Sequence, residues 1–390
     1  MSDNVLQIIV NAVDNATGIL KDVGGSLDIL DAKSKSAAAA FSAAGEHMTS
    51  MGQSLIPASL GVSAGMVVAT KAAIDFEQKM ELLRTQAGLT QTQVDGLKDK
   101  VLALGPVVGQ GPTQLAEAFY HIASAGNGIW GTAQMLDILK VSAQGAAIGQ
   151  ANLDDTTYSL TSALASNVQG AKNAAEMMST LNAIVGAGDM RFQDLNGAIA
   201  TGFLSTAATF GVSVQSMGTA LATLTDNGEH ADAAATRLRM TMALMAAPAS
   251  HAADILKSLG LQGPEVVAAT TAMTAALAKA HVTTTVLAAD MRQPNGIMVA
   301  LKDLKTHLEA SGVSADAADA ILSHAFGGGR TDAAMLTLLQ NLDRMKEKFT
   351  IIQEGTKKFG EDWAAQQDTA AQHVKTFQAE LDVLGVKLGA

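Results

Sequence analysis

Gly61-Val62-Ser63-Ala64-Gly65 spells G-x-S-x-G, the spacing of a nucleophile elbow that would present a serine for acyl transfer. That chemistry needs a strand before the motif, a helix after it and a parallel sheet beneath, and the chain has too few strand-like runs to build one. Gly126-Asn127-Gly128-Ile129-Trp130-Gly131 spells G-x-G-x-x-G, with Asp154 at a plausible distance for a ribose-binding acid. A dinucleotide fold places a strand before those glycines, so that the pyrophosphate meets a helix N-terminus. Here Leu115, Ala116, Phe119, Ile122 and Ala123 follow helical spacing, so the glycines are expected to join two helices.

The remaining reactive residue types are scattered. His47, His121, His230, His251, His281, His307, His324 and His373 form no H-x-x-x-H pair, the helical first shell of a zinc site. Asp154-Asp155 and Glu361-Asp362 are adjacent acids whose side chains diverge on a helix, unsuited to a general acid/base pair. Gly327-Gly328-Gly329-Arg330 sets a flexible link beside one cation, with no P-loop lysine in register. No catalytic, cofactor-binding or metal-ligating residue is assigned, no cofactor is expected, and the chain reads as a non-enzyme.

Composition points the same way. Hydrophobic residues are 48% of the 390, yet aromatics are 4% and charged residues 16%, so the apolar content is mostly alanine, leucine, valine and methionine. Small side chains suit closely packed helices better than a deep aromatic-lined pocket. A formal charge of −11 opposes specific nucleic-acid binding, which needs a basic stripe. Cysteine is absent, which excludes disulfides and thiolate metal sites. No secretory signal is expected at Met1-Ser2-Asp3-Asn4, which lacks a positive start.

These patterns predict an all-α fold with at most one short strand, over Val5–Val13. Residues 1–54 read as that strand and a helical arm, whose seam runs through Leu20, Val23, Leu27, Leu30, Ala37, Phe41, Ala44, Met48 and Met51 in heptad alternation. Residues 55–73 read as an apolar connector, buried or membrane-active, and Met48 to Thr70 carries no charge at all. Residues 74–263 read as a core of short helices punctuated by Gly and Pro. Its helices are expected from Thr90 to Gly105-Pro106, Pro112 to Gly126, Thr132 to Ala147, Asp154 to Ala165 and Ala171 to Val185. Leu195 to Thr225, broken by Gly197, Gly202, Gly211 and Gly218, is expected to form two packed core helices. Ser213 and Ser314 suit N-caps. Residues 264–331 read as a helical extension with the glycine link, and residues 332–390 as heptad-patterned helices. There the seam passes through Met335, Leu338, Leu342, Met345, Phe349, Ile352, Thr356, Phe359 and Trp363, with Lys346, Glu347, Lys348, Lys357 and Lys358 expected as solvated charge. After a phase slip, Phe377, Leu381, Leu384 and Leu388 carry the apolar face to the end.

The order of Ile74-Asp75-Phe76-Glu77-Gln78, then Ala118 to Gly126, Phe210-Gly211-Val212-Ser213, Asp226-Asn227-Gly228, Ala233 to Leu238 and Pro248 resembles the core of phage tail tape measure proteins. The resemblance carries over Phe76, Glu77, Ala125, Gly126, Gly211, Gly228, Leu238 and Pro248 as fold markers rather than sites. It implies a virion protein, made in the host cytoplasm, that occupies the tail tube lumen and sets tail length during assembly. It also implies tail tube protein, tail assembly chaperones and tail tip or baseplate proteins as partners, and a part in DNA ejection with contact to the host membrane. A place in the lumen favours a homo-oligomer, a trimer or hexamer. A wholly helical chain of this length reaches at most about 590 Å, and the Gly and Pro breaks forbid that extension. The resemblance therefore implies a fragment or a short member of the family. The alternative from a different class is a membrane-active α-helical pore, inserting Met48–Thr70 and Leu195–Thr225.

Overall fold

The computed structural model describes residues 61–126, 128–246, 282–312 and 332–389, with single positions 275, 278, 314–316 and 319 beside them. The expected strand at Val5–Val13, the arm at Leu20–Met51, the connector up to Leu60, Pro248 and the Gly327–Arg330 link lie outside the described residues. Among the described residues there are sixteen helices and no strand, so the fold is all-α. One isolated bridge joins Gln169 to Ser213, with the Val214 N–H donating to the Gln169 carbonyl at 2.8 Å.

The helices are α1 (Gly61–Thr85), α2 (Gln91–Val108), α3 (Pro112–Gly126), α4 (Thr132–Ile148), α5 (Leu153–Ala165), α6 (Ala174–Ala187), α7 (Phe192–Ala200) and α8 (Phe203–Phe210). They continue with α9 (Val214–Thr225), α10 (Ala231–Ala246), α11 (Thr284–Met291), α12 (Gly296–Ala310), α13 (Asp332–Gln340), α14 (Leu342–Gly355), α15 (Phe359–Gln367) and α16 (Ala370–Gly389). Side-chain caps set five of the described starts. Thr90 closes a capping box with Gln93, and Asn152, Asn173, Ser213 and Thr283 each accept a backbone N–H of the first turn. α2 runs past Pro106 and stops at Gly109, whose N–H closes on the Gly105 carbonyl at 2.8 Å.

The stretch from Leu195 to Thr225 forms the end of α7 and the whole of α8 and α9, three helices where two were expected. Gly202 and Gly211 make the breaks, at φ 86° and 72°, a left-handed conformation that costs glycine little. Gly197 and Gly218 break nothing. Gly218 sits inside α9 where a Cβ would overlap Ile184 of α6, so its smallness sets how closely the two helices approach.

α9 is the centre. All twelve of its residues are buried, and α6, α10, α12 and α14 pack around it. A helix buried on every side must find hydrogen-bond partners for its polar side chains. Its threonines meet that condition by donating along the helix: Thr219 to the Gln215 carbonyl and Thr223 to the Thr219 carbonyl, both at 2.8 Å. Ser216 accepts the Ile297 N–H at 3.0 Å, and so ties the start of α12 to α9.

The seam expected as one helix from Met335 to Trp363 is divided among α13, α14 and α15. Its phase nevertheless survives, since Leu338, Met345 and Ile352 are all fully buried. The break after α14 is a tertiary effect. Ser179 of α6 donates to the Gly355 carbonyl at 2.7 Å, the Thr180 and Thr356 hydroxyls meet at 3.0 Å, and a Cβ on Gly355 would overlap Ala183. At the far end α16 lies against α1 and α2, which brings the first and last of the described helices together.

Candidate interaction surfaces

Both glycine motifs fall on or between helices. Gly61-Val62-Ser63-Ala64-Gly65 is the first turn and a half of α1, with no sheet beneath it among the described residues. Gly126 is the last residue of α3, and Gly131 stands at the N-cap of α4. The glycine triplet thus connects two helices, as its spacing indicated. Gly126 is also steric, because a Cβ there would overlap the Trp130 ring. Asp154 and Asp155 part company. Asp154 offers its backbone N–H to Asn152 at 2.7 Å, while the Asp155 carboxylate accepts from Asn196 at 3.0 Å. His121 is exposed, with its ring edge-on to Tyr120 at 5.5 Å. Among the described residues, no group of three or more His, Asp or Glu is arranged to hold a metal ion.

Two concave surfaces among the described residues are acidic. A groove of about 680 Å³ lies between α1, the N-terminal ends of α3 and α5, and α16. Asp75, Glu117, Asp154 and Asp382 line it against a single lysine, Lys375. Burial, then the nearby Glu117 carboxylate, push the Asp154 carboxyl above its ordinary value. A smaller hollow of about 330 Å³ is lined by Asp189, Asp194, Glu229, His230 and Asp232. Neither holds a nucleophile beside a base, and both would repel phosphate.

The strongest electrostatic feature is structural. Asp226 is the C-cap of α9, where the helix dipole disfavours a carboxylate. Two cations of α14 reverse that. Lys348 meets Asp226 at 2.7 Å and also donates to the Ala187 carbonyl, and Arg344 pairs with the same carboxylate oxygen. The Asp189 N–H supplies a further bond at 3.0 Å. Burial alone would raise the Asp226 carboxyl, but Lys348 and Arg344 outweigh it and hold the group below its ordinary value. Lys348, expected in solvent, has a side chain only 8% exposed. The heptad spacing marks its neighbours as core and gives no sign that this lysine is an anchor. The misplaced acid at a helix C-terminus is the one available clue.

A family profile described as "Phage-related minor tail protein" matches residues 98–327, from within α2 to beyond α12 and more than half of the chain. The chain belongs to the phage-related minor tail protein family. It is a phage tail component, working among other tail proteins. Over 101 residues it is also 30% identical to a "Probable tape measure protein" of Clostridium phage phiCD119, a match covering 26% of this chain and 10% of that protein. The chain therefore spans a small part of the length of that curated relative. No solved structure matches.

Within the family match the carried-over markers have plain structural roles. Gly126 clears Trp130, Gly211 ends α8 and Leu238 is fully buried in α10. Gly228, at φ 85°, follows the Asp226 anchor. Phe76 precedes the match and is buried, with Glu77 exposed beside it.

Proposed function

We propose that this chain is tape measure protein material: a scaffold of the tail tube lumen that sets tail length during assembly and has no enzymatic role. What carries the reading is the stretch similar to the "Probable tape measure protein" of Clostridium phage phiCD119, in a chain of the minor tail protein family. The acidic surface fits the position, since carboxylate-lined grooves repel DNA sharing a narrow tube. The partners that follow are the tail tube protein, tail assembly chaperones and tail tip or baseplate proteins, with a trimer or hexamer as the oligomeric state.

The described region acts in this reading as a folded block rather than as the ruler itself. Its longest helix, α1, has 25 residues and spans about 38 Å, and its first and last helices lie side by side. Such a body adds little to the length of a tail. In this reading the described residues of 74–246 and 332–389 belong to one packed unit.

The pore-forming alternative draws nothing from the fold. Among the described residues no helix is long and apolar enough to cross a membrane, and Leu195–Thr225 forms three short packed helices. The test is negative-stain microscopy of particles from the parent phage or prophage after deletion of this reading frame. Loss of tails of defined length supports the proposal. Tails of normal number and length overturn it.

A further inference from the structure

α16 carries two apolar faces, and the core uses one. Gln372, Ala379, Val383 and Val386 turn inward, against α1 and α2. Val374, Leu381 and Leu388 stand seven residues apart at 57%, 47% and 59% exposure. With half-buried Phe377 and Leu384 between them they complete a 3-4 alternation, the seam of a coiled-coil helix. At about 100° per residue this seam lies on the side of the helix away from the four inward residues, so a partner reaches it without displacing α1 or α2. Single exposed apolar residues are ordinary on a protein surface, but a heptad row along one helix marks a docking face.

The charges beside the seam decide what covers it. With Val374, Leu381 and Leu388 at heptad position a, and Phe377 and Leu384 at d, the g positions are His373, Glu380 and Lys387 and the e positions are Gln378 and Gly385. Among the described residues, Glu380 and Lys387 have no ion-pair partner within the chain. In a parallel pair each g meets the e of the next heptad. Glu380 would then meet Gly385 and His373 would meet Gln378, and no charge is answered. Reversing one helix brings the g flanks of both copies together. When Leu381 of one copy lies opposite Leu384 of the other, Phe377 lies opposite Leu388 and Glu380 lies opposite Lys387. A two-fold axis repeats each of these contacts, so one surface answers itself in both its apolar layers and its charges. Val374 stands just outside this overlap.

We infer that α16 pairs antiparallel with α16 of a second copy of this chain, about a two-fold axis between Asp382 and Val383. The pairing covers Phe377, Leu381, Leu384 and Leu388 and joins Glu380 of each copy to Lys387 of the other. Charge complementarity selects both the occupant and its direction, since the parallel arrangement leaves the same charges unanswered. The inference stands on α16 and does not depend on the tape measure reading.

Sedimentation velocity of the full chain, from about 1 to about 100 µM, should show a monomer giving way to a dimer. Leu381→Glu should abolish the dimer while leaving the Tm of the monomer unchanged. Glu380→Lys and Lys387→Glu, each alone, should weaken the dimer roughly tenfold, because each turns both charge pairs into like-charge contacts. The double variant Glu380→Lys/Lys387→Glu should restore it to within about threefold of wild type. Direction has its own readout, since the chain has no cysteine. In an oxidised mixture of Phe377→Cys and Leu388→Cys chains, the mixed disulfide should form ahead of either like pair. A monomer across the whole range would overturn the inference, as would a dimer indifferent to Leu381→Glu. A double variant that fails to recover, or like pairs that crosslink first, would overturn it too.

Discussion

Leu338, Met345 and Ile352 are spaced by seven residues, and so are Val374, Leu381 and Leu388, yet the first three are buried and the second three are exposed. The first row faces α6 and α9, where large apolar side chains meet a helix that needs covering on every side. α16 instead presents its small-residue face inward. Ala379, Val383 and Val386 are buried against α1 and α2. A heptad period identifies which residues of a helix share a face. It does not say whether that face meets the chain's own core or something else.

Substitutions can break this contrast. The largest effect is expected from Met345→Asp, which buries an unpaired charge between α14 and the core. It should cost about 4 kcal/mol or more in urea denaturation, or prevent folding. Asp226→Ala comes next. It strands the Lys348 ammonium among buried groups and should cost about 3 kcal/mol by the same measurement, without changing a surface residue of α16. At the small end, Leu381→Asp should leave the stability of the core within about 0.5 kcal/mol of wild type, because the side chain already meets solvent. A large loss there would mean that the α16 row belongs to the core after all.

The Asp226 anchor also predicts a pH dependence. Its carboxyl is held below the ordinary value in the folded chain, so its contribution is present above about pH 3.9 and is lost as pH falls through the lowered folded value. Acid unfolding followed by circular dichroism should show this, and Asp226→Asn should flatten the slope in that window. A variant whose acid transition matches wild type would remove the anchor from the account.

Much of the architecture is legible in the residues themselves, because helix termini are local chemistry. Pro112 to Gly126 forms one helix with the expected ends, and Thr132, Asp154 and Ser213 fall at or beside real starts. The stop expected at Gly105-Pro106 lies further on. Pro106 is accommodated within α2, and the chain turns only where Gly109 supplies the left-handed residue. The helical setting of Gly126 to Gly131 is readable too, because the spacing before it is helical and α3 ends there.

What sequence alone determined was the all-α class, several core helices and their apolar faces, which follow from residue spacing and capping over a few turns. The family kinship rests on a resemblance of ordered motifs. Three features came from tertiary structure alone. Gly218 became a packing contact rather than a break, Lys348 became a buried anchor, and the seam after Leu338 was cut into separate helices. Each depends on a partner far away in sequence: Ile184 for Gly218, Asp226 for Lys348, and Ser179 and Thr180 for the end of α14. Local periodicity carries no information about such partners, because burial and charge pairing are settled by which helix arrives alongside.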